Sequence, residues 1–414
     1  MIISHISHAD ITGGAARAAW RIHQALREQG EDSFMTVNSA SSGDWTVDGP
    51  QRGISKVAAR VRPHIGAQMM KLQRSTNPVL HSPAILNGGL SSRVAKRNSQ
   101  IVNLHWINGE MCSVPEIGRF DLPLIWTMHD MWPFCGAEHY TDDTRWKEGY
   151  RRDNRSNETR GFDIDRWIWT RKKNKWQKPI QLVAPSNWLA ECARSSALMG
   201  DWPIEVIPNP LDMTIWKPRQ QALARDLFGL PMKSKLVLFG AMGGTRDPRK
   251  GSDLLLGALN QLSQNGEDIE LVVFGETAPE HPQSLGFPVH YMGTLHDEVT
   301  LNLLYSAADV FVLPSRQDNL PNTGVEAQAS GRPVVAFDTG GLRDIVCHRE
   351  TGYLARPFEV GDLAHGISWV LENDERWQAL SNAASNHAKA EFDAPKVAAQ
   401  YTALYKKLLG DQMK

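Results

Sequence analysis

Short, wholly apolar runs alternate along this chain with longer stretches in which apolar residues recur every three or four positions. This rhythm predicts strands and helices in turn. Residues 2–7 read as a first strand that runs through Gly13 and Gly14 into a helix closed by Gly30, and residues 34–38 as a second strand. From there to about Gln100 the pattern dissolves into Ser, Pro and Arg. The exception is a basic helix predicted over residues 54–72, where Val57, Val61, Ile65, Met69 and Leu72 fall at helical spacing. Three more apolar runs follow, at 101–106, 122–128 and 181–185. The stretch between the last two, about 135–178, is too long for an ordinary connection and reads as an insertion with one helix. A helix over 187–199 and a strand over 204–207 lead to Pro208-Asn209-Pro210, which can continue neither element and places a hinge there. Beyond it the rhythm resumes, with strands at 236–239, 269–274, 289–292 and 310–313 and helices at 252–262, 301–307 and 323–330. Alternation of this kind predicts parallel sheets covered by helices on both faces. The expected organisation is a first doubly wound domain over 1–208, a second over 209–394, and a last helix, 395–414, returning to the first.

Length supports the division, since 414 residues are many for one core. No apolar run approaches the roughly 20 residues of a membrane span, and the N-terminus MIISHISHAD has neither a basic flank nor a cleavage site, so a cytoplasmic protein is expected. The four cysteines lack the paired spacing of a zinc site or disulfide framework and read as packing thiols. A net charge of −1 hides an asymmetry: residues 1–208 carry 26 Lys and Arg against 21 Asp and Glu, the remainder 19 against 25. Residues 49–109 hold nine basic residues and no acidic one, and residues 145–178 twelve basic and five acidic, interleaved with Trp146, Trp167, Trp169 and Trp176. Basic residues with Trp suit a surface resting on anionic headgroups. They also suit nucleic acid or a merely solvated face, although no nucleic-acid-binding motif accompanies them.

Candidate chemistry concentrates at 310–341. The apolar run 310–313 reads as a buried strand and a polar turn, 314–322, leads into a helix; the amides at such a helix start suit a phosphate. Asp318 and Glu326 flank the turn. Glu326 could accept hydrogen bonds from two ribose hydroxyls and Asp318 could face a sugar beyond the phosphates. Alternatively, Thr323 to Glu326 is a capping box and Asp318 a turn-former. Elsewhere, His105, His129 and Asp130 stand just past apolar runs, where open α/β sheets bind ligands, although a single His is more often a satisfied core or loop residue. Arg246, Arg249 and Lys250 lie in the loop after the strand ending at Phe239 and could neutralise a diphosphate or simply be solvated.

The stretch Glu326-Ala-Gln-Ala-Ser-Gly331-Arg-Pro333-Val-Val, with Asp318 eight positions before Glu326, resembles the nucleotide-sugar site of retaining glycosyltransferases of family 4. That family places a Glu where Asp318 stands. The phrase Gln317 to Asn322, QDNLPN, is similar to the branch that builds exopolysaccharides such as colanic acid. The resemblance implies the GT-B architecture, two doubly wound Rossmann-like α/β domains facing across a cleft. It implies transfer of a hexose from a nucleoside diphosphate sugar to a glycan or lipid-linked acceptor, with retention, no metal and no other cofactor. Carried over residue by residue, Lys250 and the amides around Asn322 and Thr323 meet the diphosphate, Glu326 the ribose, Asp318 and His129 the sugar. Gly275, Thr294 and Leu295 would meet the base, and Gly13 and Gly14 the cleft; His105, which the resemblance does not assign, is a separate candidate for the acceptor. Ala241 follows Gly240 where the family has an Arg, leaving Arg246 or Arg249 as substitutes, and Cys135 stands alone where many relatives are cysteine-rich, so no metal role is carried over there. A sugar-nucleotide 2-epimerase or hydrolase of the same architecture, or a nucleotide-sugar-binding protein without catalysis, are the other readings.

Overall fold

The computed structural model describes residues 1–50, 53–240, 247–280 and 285–411. The strands are β1 (Ile2–Ala9), β2 (Asp32–Ser39), β3 (Val47–Asp48), β4 (Gln73–Arg74), β5 (Ile101–Leu104), β6 (Leu124–Thr127), β7 (Arg160–Gly161), β8 (Gln181–Ala184) and β9 (Ile204–Val206), then β10 (Lys235–Gly240), β11 (Ile269–Phe274), β12 (Val289–Tyr291), β13 (Val310–Leu313), β14 (Val334–Phe337) and β15 (Gly352–Ala355). The chain divides into two compact units, one of Met1–Asn209 and Val397–Lys414, the other of Pro210–Lys396.

In the first unit a parallel sheet has the order β3-β2-β1-β5-β6-β8-β9. Strands run outward from β1 on one side and from β5 on the other, so the order reverses between β1 and β5. Every residue of β5 and β8 is buried, as expected of strands covered on both faces. The exception to apolarity in β5 is Asn103, which is paired: its amide donates to the Tyr405 hydroxyl at 2.9 Å and its carbonyl accepts from Thr127 Oγ1 at 3.0 Å. Thr127 Oγ1 also meets the Tyr401 hydroxyl at 3.2 Å. The final helix, Ala394–Asp411, is thereby tied to the first unit's sheet.

The segment expected as a one-helix insertion holds two helices, Arg145–Glu148 and Ile164–Lys175, and is part of the unit's core. Trp146, Trp169 and Trp176 are buried among Trp126, Trp132 and Phe134, so they do not form the aromatic surface that their basic surroundings suggested. Lys172 is fully buried as well. Its ammonium donates to the Trp132, Cys135 and Gly136 carbonyls and stands 3.6 Å from the centre of the Trp132 ring. The run is basic in composition because part of it caps carbonyls inside the fold. The helix Ile54–Met70 presents a contrasting face: Val57, Val61 and Ile65 are 62, 47 and 44% exposed, beside exposed Lys56 and Arg60.

The second unit holds a six-stranded parallel sheet of order β12-β11-β10-β13-β14-β15, reversing between β10 and β13. Its faces are covered by two apolar clusters, one around Tyr305, Phe311 and Val325, the other around Leu255, Val312 and Ile367.

Candidate active site

Open α/β sheets bind ligands beyond the strand ends where the order reverses. In the second unit that place lies past β10 and β13. The loop after β10 ends in a short turn, Pro248–Lys250, whose Asp247 carboxylate accepts from the Arg249 amide at 3.1 Å and the Arg249 guanidinium at 2.7 Å. Gly251 then takes φ +64°, and a Cβ there would stand 1.9 Å from the Pro314 carbonyl oxygen. Only glycine lets this loop lie against the turn after β13, and so Lys250 meets Asp318: Nζ is 2.5 Å from Oδ2. Ser315 Oγ lies 3.4 Å from the same oxygen, and Oδ1 accepts from the Asn319 amide at 3.1 Å. Two groups assigned separately to the diphosphate and the sugar are thus an ion pair, 24 and 11% exposed at their side chains.

The next helix starts earlier than its sequence suggests, at Asn322, with Pro321 at its N-cap and no side-chain capping bond. Proline at that position fixes the backbone entry, which moves Thr323 inside the first turn and Glu326 to the fifth helical position. The capping-box reading is therefore wrong. Glu326 is instead buried, 2% exposed, with Oε2 accepting from the Tyr305 hydroxyl at 3.1 Å. Asn322 and Thr323 are half-buried at the helix start. At the neighbouring strand ends, the Gly275 amide donates to the Gly293 carbonyl at 2.8 Å, Thr294 is exposed and Leu295 is half-buried. Arg249 is folded onto Asp247, and Arg246, with Ala241, lies outside the described residues.

In the first unit the order reverses between β1 and β5. Past β1, Gly13 takes φ +99° as the N-cap of the helix Gly14–Glu28. Past β5 and β6 stand His105 and His129. His105 is 2% exposed and both its ring nitrogens are engaged, Nε2 with His5 Nδ1 at 2.9 Å and Nδ1 with His129 Nε2 at 3.1 Å. Neither ring nitrogen of His105 is left over for the acceptor contact expected of it. His129 is half-buried, and burial pulls it down to about 4, the Asp130 carboxylate opposing. Asp130 does not face outward. It accepts from Trp106 Nε1 at 3.0 Å, His139 Nδ1 at 2.6 Å and the Trp132 amide at 2.9 Å, and so holds the loop that carries His129.

Sequence reading missed His5 and Tyr305, the partners of His105 and Glu326, since each lies in a run that reads as strand or helix core. It also missed a cluster in which His81, Glu138 and Asp165 bring ligand atoms within 4.8 Å of one another. Gln73 and the Ala137 amide already donate to Asp165, and Tyr150 to Glu138, and both carboxylates interact electrostatically with the buried Lys172 ammonium, so the cluster reads as the polar core of the 135–178 segment.

Residues 233–373, which carry Lys250, Asp318 and Glu326, match the family model described as Glycosyl transferases group 1. A D-inositol 3-phosphate glycosyltransferase of Mycolicibacterium smegmatis is 31% identical over 220 residues, covering 50% of this chain and 48% of that protein. A phosphatidyl-myo-inositol mannosyltransferase of Mycobacterium tuberculosis is 32% identical over 228 residues, 50% of this chain and 55% of that protein. The chain spans about half the length of the curated relatives it matches. Among solved structures, a sucrose-phosphate synthase from Thermosynechococcus elongatus superposes with TM-score 0.71 at 19% identity, covering 99% of this chain and 100% of that one. Residues 233–373 are thus a glycosyl transferases group 1 segment, set in a chain of two Rossmann-like units with the GT-B fold.

Proposed function

We propose that this protein is a retaining glycosyltransferase that moves a hexose from a nucleoside diphosphate sugar to a glycan or lipid-linked glycan acceptor. The observation that supports this most is the Lys250–Asp318 pair at the carboxyl ends of β10 and β13, inside the group 1 segment. An ammonium has three N–H bonds; Asp318 takes one and aims the others, which suits diphosphate oxygens. The first amides of Asn322–Ala329 add donors from the next loop. Together they would oppose the charge that grows on the departing diphosphate, the largest electrostatic change in such a transfer, without calling on a metal. Glu326 takes the ribose hydroxyls, Gly275, Thr294 and Leu295 border the base, and His129 aligns the sugar.

The acceptor is proposed to be a surface polysaccharide precursor on the strength of QDNLPN at Gln317 to Asn322. The names of the mycobacterial relatives point to D-inositol 3-phosphate and phosphatidyl-myo-inositol for those proteins. A lipid-linked acceptor fits a peripheral contact between the exposed basic and apolar face of Ile54–Met70 and an anionic membrane. No helix among the described residues is long and apolar enough to cross one.

The test is turnover of UDP- and GDP-hexoses, in buffer containing EDTA, against polysaccharide-precursor and inositol-phosphate acceptors, with the product's anomeric configuration read by NMR. An α-linked product from an α-linked donor is expected, and Lys250→Ala should lower kcat/KM by roughly 10²- to 10³-fold, as loss of one preorganised donor does. A β-linked product rules out retention, and dependence on added Mg²⁺ or Mn²⁺ rules out the metal-free diphosphate site. Free or epimerised sugar without transfer replaces the reading with a hydrolase or epimerase.

A further inference from the structure

Three histidines form a hydrogen-bonded row across three neighbouring strands of the first unit. His5 lies within β1, His105 directly follows β5 and His129 stands two residues past β6. The bonds are His5 Nδ1 to His105 Nε2, 2.9 Å, and His105 Nδ1 to His129 Nε2, 3.1 Å. Adjacent rings stack with centroids 5.2 and 5.4 Å apart, each pair tilted by 28°. The inner end of the row is closed by His23, edge-on to His5 at 6.0 Å, with its own nitrogens held by Ser33 Oγ at 2.7 Å and Thr46 Oγ1 at 2.9 Å. Burial keeps these rings neutral: His5 and His105 fall well below the usual imidazole range and His23 to about 3.

A neutral imidazole carries one N–H, so it donates from one nitrogen and accepts at the other. His105 uses both nitrogens within the row. It donates once and accepts once, and both bonds must therefore run the same way. If they ran inward, from His129 to His5, the His5 Nε2–H would end buried, and Nε2 has no hydrogen-bond partner among the described residues. If they run outward, only a lone pair is left at that atom. A buried N–H without an acceptor is the rarer and costlier of the two. We infer that His5 and His105 are positioning residues, which hold His129 as the single tautomer with its proton on Nδ1 and Nε2 accepting. The consequence for catalysis rests on the proposed function: His129 meets the sugar as a hydrogen-bond donor and not as a base, with its ring plane set from inside the sheet.

The experiment uses the full chain labelled with ¹⁵N in its histidine rings. Two-bond proton–nitrogen correlations distinguish the tautomers, with His129 assigned by loss of its signals in His129→Gln. The inference expects a protonated Nδ1 and a bare Nε2 at His129. His105→Asn should preserve this, because the Asn amide nitrogen is as many bonds from Cα as Nδ1 and still donates. His105→Leu should give a tautomer mixture, with kcat for an accepted donor lowered about tenfold and its KM nearly unchanged, the signature of a group acting in the transition state. A proton on Nε2 of His129 in the unaltered chain overturns the inference, and that signal decides the matter even where His105→Leu does not fold. A folded His105→Leu with the tautomer and kcat unchanged overturns it equally. Absence of any sugar transfer would sink the proposed function and leave the tautomer result standing.

Discussion

Glu326 is enclosed by its own helix and by Tyr305, and this decides how its substitution should behave. Glu326→Gln keeps the volume and an oxygen for the Tyr305 hydroxyl, so the fold should tolerate it. If the carboxylate holds a ribose, the loss of its charge should weaken UDP or GDP binding by about 1.5–3 kcal/mol, the range for a hydrogen bond to a charged group. Unchanged affinity by calorimetry would end the ribose assignment. The residue pattern singled out Glu326 and Asp318, but not their partners. Lys250 and Asp318 are 68 positions apart, and nothing local in either loop announces that Gly251 brings them together. The histidine row is hidden in the same way, with partners 100 and 24 positions apart. A pH effect follows from it. The unfolded chain protonates these imidazoles near 6.5, whereas the folded chain protonates His129 only near 4 and His23 near 3. Between those values the unfolded state binds more protons, so stability is full above pH 6.5 and falls as the pH drops toward 4. Each such ring contributes on the order of 3 kcal/mol to the loss. Melting of His23→Gln should therefore depend less on pH from 6.5 to 4 than that of the unaltered chain, and parallel curves would refute a histidine origin for the effect.

At the level of elements, sheet strands were the most legible part because buried parallel strands are short, continuous and apolar. Helix starts were less so. Pro321 stands one residue before the helix and shifts its first turn, and a capping-box pattern three residues on is then an accident of composition. The 135–178 segment misled for another reason: composition counts Lys172 as a surface charge, while three carbonyls and the Trp132 ring receive it inside. What remains for a membrane contact is the helix Ile54–Met70. Its exposed Val57, Val61 and Ile65 recur every four residues beside Lys56 and Arg60, a face suited to a headgroup layer. Vesicles containing anionic lipid should bind the chain at low salt and release it as screening shortens toward about 8 Å at physiological ionic strength. The double change Lys56→Glu, Arg60→Glu should weaken that binding by about 1 kcal/mol or more per residue. Equal, negligible binding to neutral and anionic vesicles at low salt would remove the contact.

Across the whole molecule, the alternation of strand and helix made the two doubly wound sheets legible, because each parallel connection demands a covering helix. The irregular region before Gln100 was not legible, since its short helix Leu90–Ala95 and the pairing of β4 with β7 depend on partners distant in sequence. The last helix exposes the same limit in a form that can be measured. Tyr401 and Tyr405 look like two more apolar positions, yet their hydroxyls complete a buried polar chain with Thr127 and Asn103 in the first unit's sheet. Removing both hydroxyls with Tyr401→Phe and Tyr405→Phe keeps the packing volume but strands the Asn103 amide, and an unsatisfied buried group costs about 1–3 kcal/mol. The effect should be confined to the first unit, because the second has its own sheet and its own apolar clusters. Scanning calorimetry of the full chain should then show the double variant losing stability in one transition, with the second unit's transition left in place. An unshifted melt would mean that the Asn103 amide finds another partner, and a common shift of both transitions would mean that the two units unfold as one.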